Sequence, residues 1–226
     1  MVRRTFEQEL QNLQDEVLAL GSMVENAIVE SVEVLKRRDA EGARRLIAGD
    51  RDINRKRFAI EADCLVLIAT QQPLAGDLRT LAAVLEIVTE LERMGDYAKG
   101  IARINLMMGE EPLIKPLIDI PRMAEKARDM LHRALDAFVR RDVALARAIP
   151  AEDDEVDALY NQVYRELLTF IMADPHTIDQ ATYLLWVAHN LERTADRVTN
   201  ICERVVFTVT GEMMEMDAEE GLIGIA

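Results

Sequence analysis

Aromatic side chains make up only 4% of this chain, with a single tryptophan, so any core has to be built from aliphatic residues. Cysteine is nearly absent. Cys64 and Cys202 are the only two in 226 residues, too few for a disulfide framework, and they fit a reducing compartment. His132, His176 and His189 are the only histidines, which argues against a histidine-bearing di-metal oxidase. No apolar run reaches the roughly 18 residues a bilayer span needs. The two arginines at Arg3-Arg4 are not followed by the apolar stretch of a signal peptide. A soluble, cytoplasmic protein is therefore expected. Basic residues are outnumbered 27 to 41 by acidic ones, for a net charge of −14, which excludes nucleic acid and anionic membrane surfaces as natural partners and favours cations. No glycine loop for phosphates, nucleophile elbow or Cys-x-x-Cys pair is present, so no enzyme is expected.

What is there is helix. Phe6, Leu10, Leu13, Val17, Leu20, Val24, Ala27, Ser31 and Val34 follow one another in steps of three and four, the seam of a helical bundle. This predicts a helix from near Thr5 to Arg38. Asp39 is placed to cap a second helix, kinked or restarted at Gly42 and Gly49, which runs to about Gln72 before Pro73 turns the chain. Asp77 is placed to cap a third, with Leu78, Leu81, Leu85, Val88, Gly95 and Ala102 facing inward. Pro112, Pro116 and Pro121 mark the only linker-like stretch. Three further helices follow: about Ile120 to Arg141, about Asp142 to Ala173 with a break near Pro150, and about Thr177 to Thr210.

The second set repeats the first. Arg37-Arg38-Asp39 matches Arg140-Arg141-Asp142, 103 residues on. Leu91-Glu92-Arg93-Met94-Gly95-Asp96 matches Leu191-Glu192-Arg193-Thr194-Ala195-Asp196, 100 residues on. The expected fold is all-α, a tandem repeat of two antiparallel three-helix bundles over residues 1–107 and 121–211. A proline-containing linker at 108–120 joins them, and 212–226 is expected to be a flexible tail.

Both Glu-x-x-x-Asp pairs place two like charges on one helical face, which costs roughly 0.2–0.5 kcal/mol unless something positive lies between them. Residues equidistant from the turn of a helical hairpin lie at the same height. Asp153 is thereby set level with Asp196 and Asp157 with Glu192. In the first copy Asp50 is set level with Asp96 and Asn54 with Glu92. Four carboxylates in the second copy need a bound cation, nearby arginine or protonation. An oxygen-only donor set suits magnesium, calcium, manganese or ferric iron. Asn200 can add an oxygen; Gly100, its counterpart, cannot, and Asn54 weakens the first set. Salt bridges from Lys99 to Glu92, or from Arg93 and Arg193 to neighbouring acids, are the second explanation of the spacing, and a plain solvated surface the third. His189 reads as a core or surface residue, and Met108, Met213, Met214 and Met216 as packing or tail.

Several stretches together resemble the PhoU family of phosphate-signalling regulators. In the first half they are Asp52-Ile53-Asn54, Gln71-Gln72-Pro73-Leu74-Ala75-Gly76-Asp77-Leu78-Arg79 and Leu91 to Asp96. In the second they are Asp153-Asp154-Glu155-Val156-Asp157, Asp174-Pro175 and Leu191 to Asp196 continuing through Thr199-Asn200-Ile201. The order is right across nearly the whole chain, linker Glu110-Glu111-Pro112 to Ile120-Pro121 included. The resemblance implies two three-helix bundles, homodimerisation and no catalysis. It implies cytoplasmic negative control of phosphate-starvation genes and phosphate uptake. The partners it implies are the ATPase subunit of a phosphate ABC importer and a sensor histidine kinase, with membrane contact only through them. Some members bind multinuclear iron or zinc through paired Glu/Asp-x-x-x-Asp motifs. By position these are Asp50, Glu92 and Asp96, then Asp153, Asp157, Glu192 and Asp196. The chain departs from the family at Asn54, at Gly100, where members often have Asn, and at Arg197, where many have His. Two other readings stand beside it: an iron-storing or redox bundle, and a regulator of a different transporter.

Overall fold

The repeated Arg-Arg-Asp motif ends one helix and starts the next by the same device in both halves. Arg38 and Arg141 adopt left-handed backbone, with φ of 57° and 56°. The following aspartate N–H bonds back to the helix just ended, Asp39 to Val34 O at 2.8 Å and Asp142 to Ala137 O at 2.9 Å. This closes off the exposed carbonyls. The same aspartates then cap the next helix, Asp39 Oδ1 accepting from Gly42 N at 2.8 Å and Asp142 Oδ1 from Leu145 N at 3.0 Å.

The computed structural model describes residues 2–109 and 111–216, with side chains from residue 6. The Arg3-Arg4 side chains, Glu110 of the expected linker and residues 217–226 of the expected tail lie outside the described residues. The helices are α1 (Val2–Arg37), α2 (Ala40–Gln71), α3 (Ala75–Met107), α4 (Asp119–Arg140), α5 (Val143–Ala148), α6 (Asp153–Ala173) and α7 (Ile178–Thr210). Short 3-10 turns at Pro150–Glu152 and Pro175–Thr177 lead into α6 and α7. No strand occurs among the described residues.

The first three helices pack against one another, as do α4, α6 and α7. The halves are not separate bodies: α3 packs along α7 and α1 along α4. One apolar cluster therefore runs from Leu13 and Val17 on α1, through Leu91 on α3 and Leu131 on α4, to Leu191 and Val206 on α7. The segment before α4 is fastened to this body as well. Gln180 donates to Pro112 O at 3.0 Å and accepts from Ile114 N, buried Lys115 pairs with Glu166, and Leu117 joins the core.

Three local expectations are corrected. The helix α2 is unbroken: Gly42 lies in its first turn and Gly49 faces open space, so neither forces a bend. Asp77 does not cap α3, which starts two residues earlier at Ala75 behind an extended Leu74. It lies in the first turn instead, where a negative charge still complements the helix dipole. Leu78 is 42% exposed, because α3 begins beyond the cover of its neighbours, whereas Leu81, Val88, Gly95 and Ala102 are buried.

Candidate functional site

In the first half, α2 and α3 bring Asp50, Asn54, Glu92 and Asp96 to one face, and two basic side chains enter among them. Lys99 Nζ donates to Asp50 Oδ2 at 2.6 Å and to Asp96 Oδ1 at 3.1 Å. Asn54 Nδ2 donates to the same Asp50 oxygen at 3.2 Å. Arg57 Nη1 lies 3.8 Å from Glu92 Oε2 and also pairs with Glu61 at 2.9 Å. The Asp50 side chain is only 7% exposed, so its charge needs this company. The hydrogen bond to Asp50, with help from Asp96, raises the pKa of Lys99 and keeps it an ammonium. Burial, then Asp96, pushes the Glu92 carboxyl up, against the opposing pull of Arg57 and Arg93.

In the second half, α6 and α7 present Asp153, Asp157 and Asp196 to a cavity of about 930 Å³. Met214 and Met216 of the C-terminal segment close one side of it. That segment is held by Met216 N donating to Glu203 Oε1 at 2.8 Å. Burial raises the Glu192 pKa, and Asp196 and Asp157 raise it further, while His189 and Arg193 oppose them. Arg193 Nη1 pairs with Asp196 Oδ2 at 2.8 Å, and His189 Nδ1 lies 3.2 Å from Glu192 Oε2. His189 is thus a surface side chain beside the acids. Tyr160, one turn along α6 from Asp157, has its pKa raised by burial and then by Glu192.

Asn200 and Arg197 line the same cavity as Asp153, Asp157 and Asp196, and each also bonds to α3. Asn200 donates to Glu90 Oε2 of α3 at 3.1 Å, and Arg197 pairs with the same oxygen at 3.2 Å instead of with Asp196. Arg204 continues this seam to Glu86 at 3.0 Å. Gly100 sits at its other end, where a Cβ would come 3.4 Å from the Asn190 amide. The halves meet here, so the seam's polar groups serve the α3–α7 contact. Lys99 likewise reaches across to Asp50 and not along its own helix to Glu92. Spacing within one helix carries no signal for such partners.

The two sets differ in their fitness for a metal. Among the described residues, no group of three or more His, Cys, Asp or Glu side chains is arranged to hold one ion. The first set does not fit, because an ammonium already stands between Asp50 and Asp96. In the second, Arg193 occupies one oxygen of Asp196 but bridges no second helix, and the donors are hard oxygens, with burial and the neighbouring carboxylates pushing Glu192 up. Zinc, which favours nitrogen and sulfur, is less well matched there than a hard ion.

Comparison with known proteins covers both halves. A family model described as the PhoU domain matches residues 17–104 and again residues 120–205. A phosphate-specific transport system accessory protein PhoU homolog of Caulobacter vibrioides is 39% identical over 210 residues, 92% of this chain and 91% of that protein. The accessory protein PhoU of Escherichia coli K12 is 35% identical over 92% of this chain and 86% of its own length. The crystal structure of PhoU from Pseudomonas aeruginosa superposes with a TM-score of 0.86 at 32% identity, over 92% of this chain and all of that one. That of the phosphate transport system regulatory protein PhoU from Streptococcus pneumoniae gives 0.85 at 33% identity, over 92% of this chain and 99% of the other.

Proposed function

The chain belongs to the PhoU family, and on that premise we propose that it is a regulatory accessory protein of phosphate transport that works by binding other proteins. It acts in the cytoplasm, as a homodimer, between the ATPase subunit of a phosphate ABC importer and a sensor histidine kinase. It restrains both when phosphate is plentiful. It performs no reaction of its own. Among the described residues no helix is long and apolar enough to cross a membrane, and in this reading membrane contact comes only through the partners.

The observation that carries a binding role is the apolar side chains exposed near both hairpin turns. Leu65, Val66 and Leu74 stand out on α2–α3, and Met172, Ile178 and Trp186 on α6–α7, each at least half exposed. Six large apolar side chains in water are a standing cost unless a partner covers them. In the second half, Asp153, Asp157, Glu192 and Asp196 would hold a hard cation, iron or manganese before zinc, which would neutralise charge and stiffen α6 against α7.

The test is genetic and physical. Deleting the gene should release phosphatase expression in phosphate-rich medium; persistent repression would overturn the regulatory reading. Met172→Asp with Ile178→Asp should abolish co-purification with the importer ATPase while stability stays within about 0.5 kcal/mol, as is usual for surface substitutions.

A further inference from the structure

The two halves arose by one plan but treat their acidic faces differently. In the first half, Lys99 on α3 and Arg57 on α2 bring positive charge to the carboxylates. At the offset of 100 residues that relates α3 to α7, Lys99 corresponds to Thr199, a neutral and fully buried side chain. At the offset of 103 that relates α2 to α6, Arg57 corresponds to Tyr160, also neutral. Asn54, a neutral amide in the first half, corresponds to Asp157, a carboxylate in the second. All three replacements shift charge in the same direction. The second half has one more carboxylate and no counterpart of Lys99 or Arg57; its cations are placed differently, Arg193 on Asp196 alone and Arg197 on Glu90 of α3.

We propose that Lys99 is the resident cation of the first half, a covalently attached ammonium occupying the place a metal ion would take, so that this half is closed to metals and any metal the chain binds goes to the second half. The geometry supports this. Nζ lies within hydrogen-bonding distance of both Asp50 and Asp96, carboxylates on different helices, which is the bridging role a metal would perform. Asn54 donates to the same Asp50 oxygen as Lys99, so that oxygen is already satisfied twice. A divalent ion at this point would have to displace the ammonium from a nearly buried aspartate and sit beside it, with Arg57 already drawing on Glu92. No metal is needed to hold α2 to α3 at this level.

The experiment uses the full-length chain stripped with chelator and then equilibrated with Mn²⁺, or separately with Zn²⁺, with bound metal counted by mass spectrometry and melting followed by circular dichroism. The comparison is between wild type, Asp50→Asn, Lys99→Gln, Lys99→Arg and the pair Glu192→Gln with Asp196→Asn. The proposal expects Asp50→Asn to leave the wild-type metal count unchanged, and the second-half pair to remove whatever metal wild type binds. It expects Lys99→Gln to gain metal at the first half, with apparent affinity there tightened more than about tenfold and a metal-dependent rise in melting temperature. Lys99→Arg, which keeps the charge, should behave as wild type. Loss of metal on Asp50→Asn would overturn the proposal, as would a folded Lys99→Gln that takes up no more metal than wild type. The Asp50→Asn count decides the matter if Lys99→Gln does not fold. None of these outcomes bears on whether the chain regulates phosphate uptake.

Discussion

Replacing Gly21 by alanine should destabilise the protein, although the same change at Gly49 should stabilise it. Gly21 is buried on α1 where that helix lies along α4, and a Cβ added there would stand 2.2 Å from Leu135 Cδ1. Leu135 is 2% exposed and held by the core, so the methyl cannot move without disturbing its neighbours. Overpacking of this kind costs about 1–3 kcal/mol. Alanine in a helix interior returns about 1 kcal/mol over glycine. Gly49 on α2 has nothing within 4 Å of a built Cβ, so there only the propensity gain remains. Gly49→Ala should therefore be more stable than Gly21→Ala by about 1–3 kcal/mol, the full value of the clash. Leu135→Ala alone should cost about 2–5 kcal/mol. In that background Gly21→Ala should become stabilising, because its methyl enters space just vacated. Urea unfolding followed by far-UV circular dichroism, extrapolated to water, reads all four variants. The reasoning fails if Gly21→Ala stabilises as much as Gly49→Ala, or if its effect is indifferent to the Leu135 side chain.

Three other outcomes are expected. Asp39→Ala and Asp142→Ala should each lower stability by about 0.5–2 kcal/mol in the same assay, since each removes a side-chain cap in the same repeated motif. At the α3–α7 seam, Glu90→Gln and Arg197→Met should each cost about 1–3 kcal/mol, and a double-mutant cycle should show them coupled, because both remove one partly buried charged bond. Burial pushes the Cys64 thiol up to about 11, and Cys202 is fully buried, so neither should react with Ellman's reagent at pH 8 until urea unfolds the chain. Because the fold keeps the Cys64 proton, its contribution is complete below the ordinary thiol value of 9.0 and is lost as pH climbs from there to about 11. Rapid native labelling of Cys64, or stability flat across that interval, would contradict its burial.

The repeat, the helices and the heights of the acidic residues could be read from one sequence because they depend on short-range periodicity. Asp39 and Asp142 announce their caps, and Pro73 and Asp174-Pro175 announce the turns about which Asp50 is level with Asp96. The partners of those acids could not be read. Lys99 has two acids on its own helix within reach by spacing, Glu92 and Asp96, and a third on α2. Only the packing angle decides that it bridges Asp50 and Asp96. Arg197 stands next to Asp196 in sequence, yet in a helix adjacent residues point about a quarter-turn apart, and it meets Glu90 of α3. Contacts between the halves involve faces that each bundle, taken by itself, would leave to solvent, so nothing in the internal periodicity of one half foretells them.

The apolar cluster that crosses from α1 and α3 into α4 and α7 has a consequence for how the duplication can be undone. Cutting the gene between the two matching halves would leave each product with a bare oily wall, sized to its lost twin. Such fragments would aggregate or find each other again; neither would be a working half-size protein. The repeated unit has no interior of its own to close, because the core is shared between the two copies.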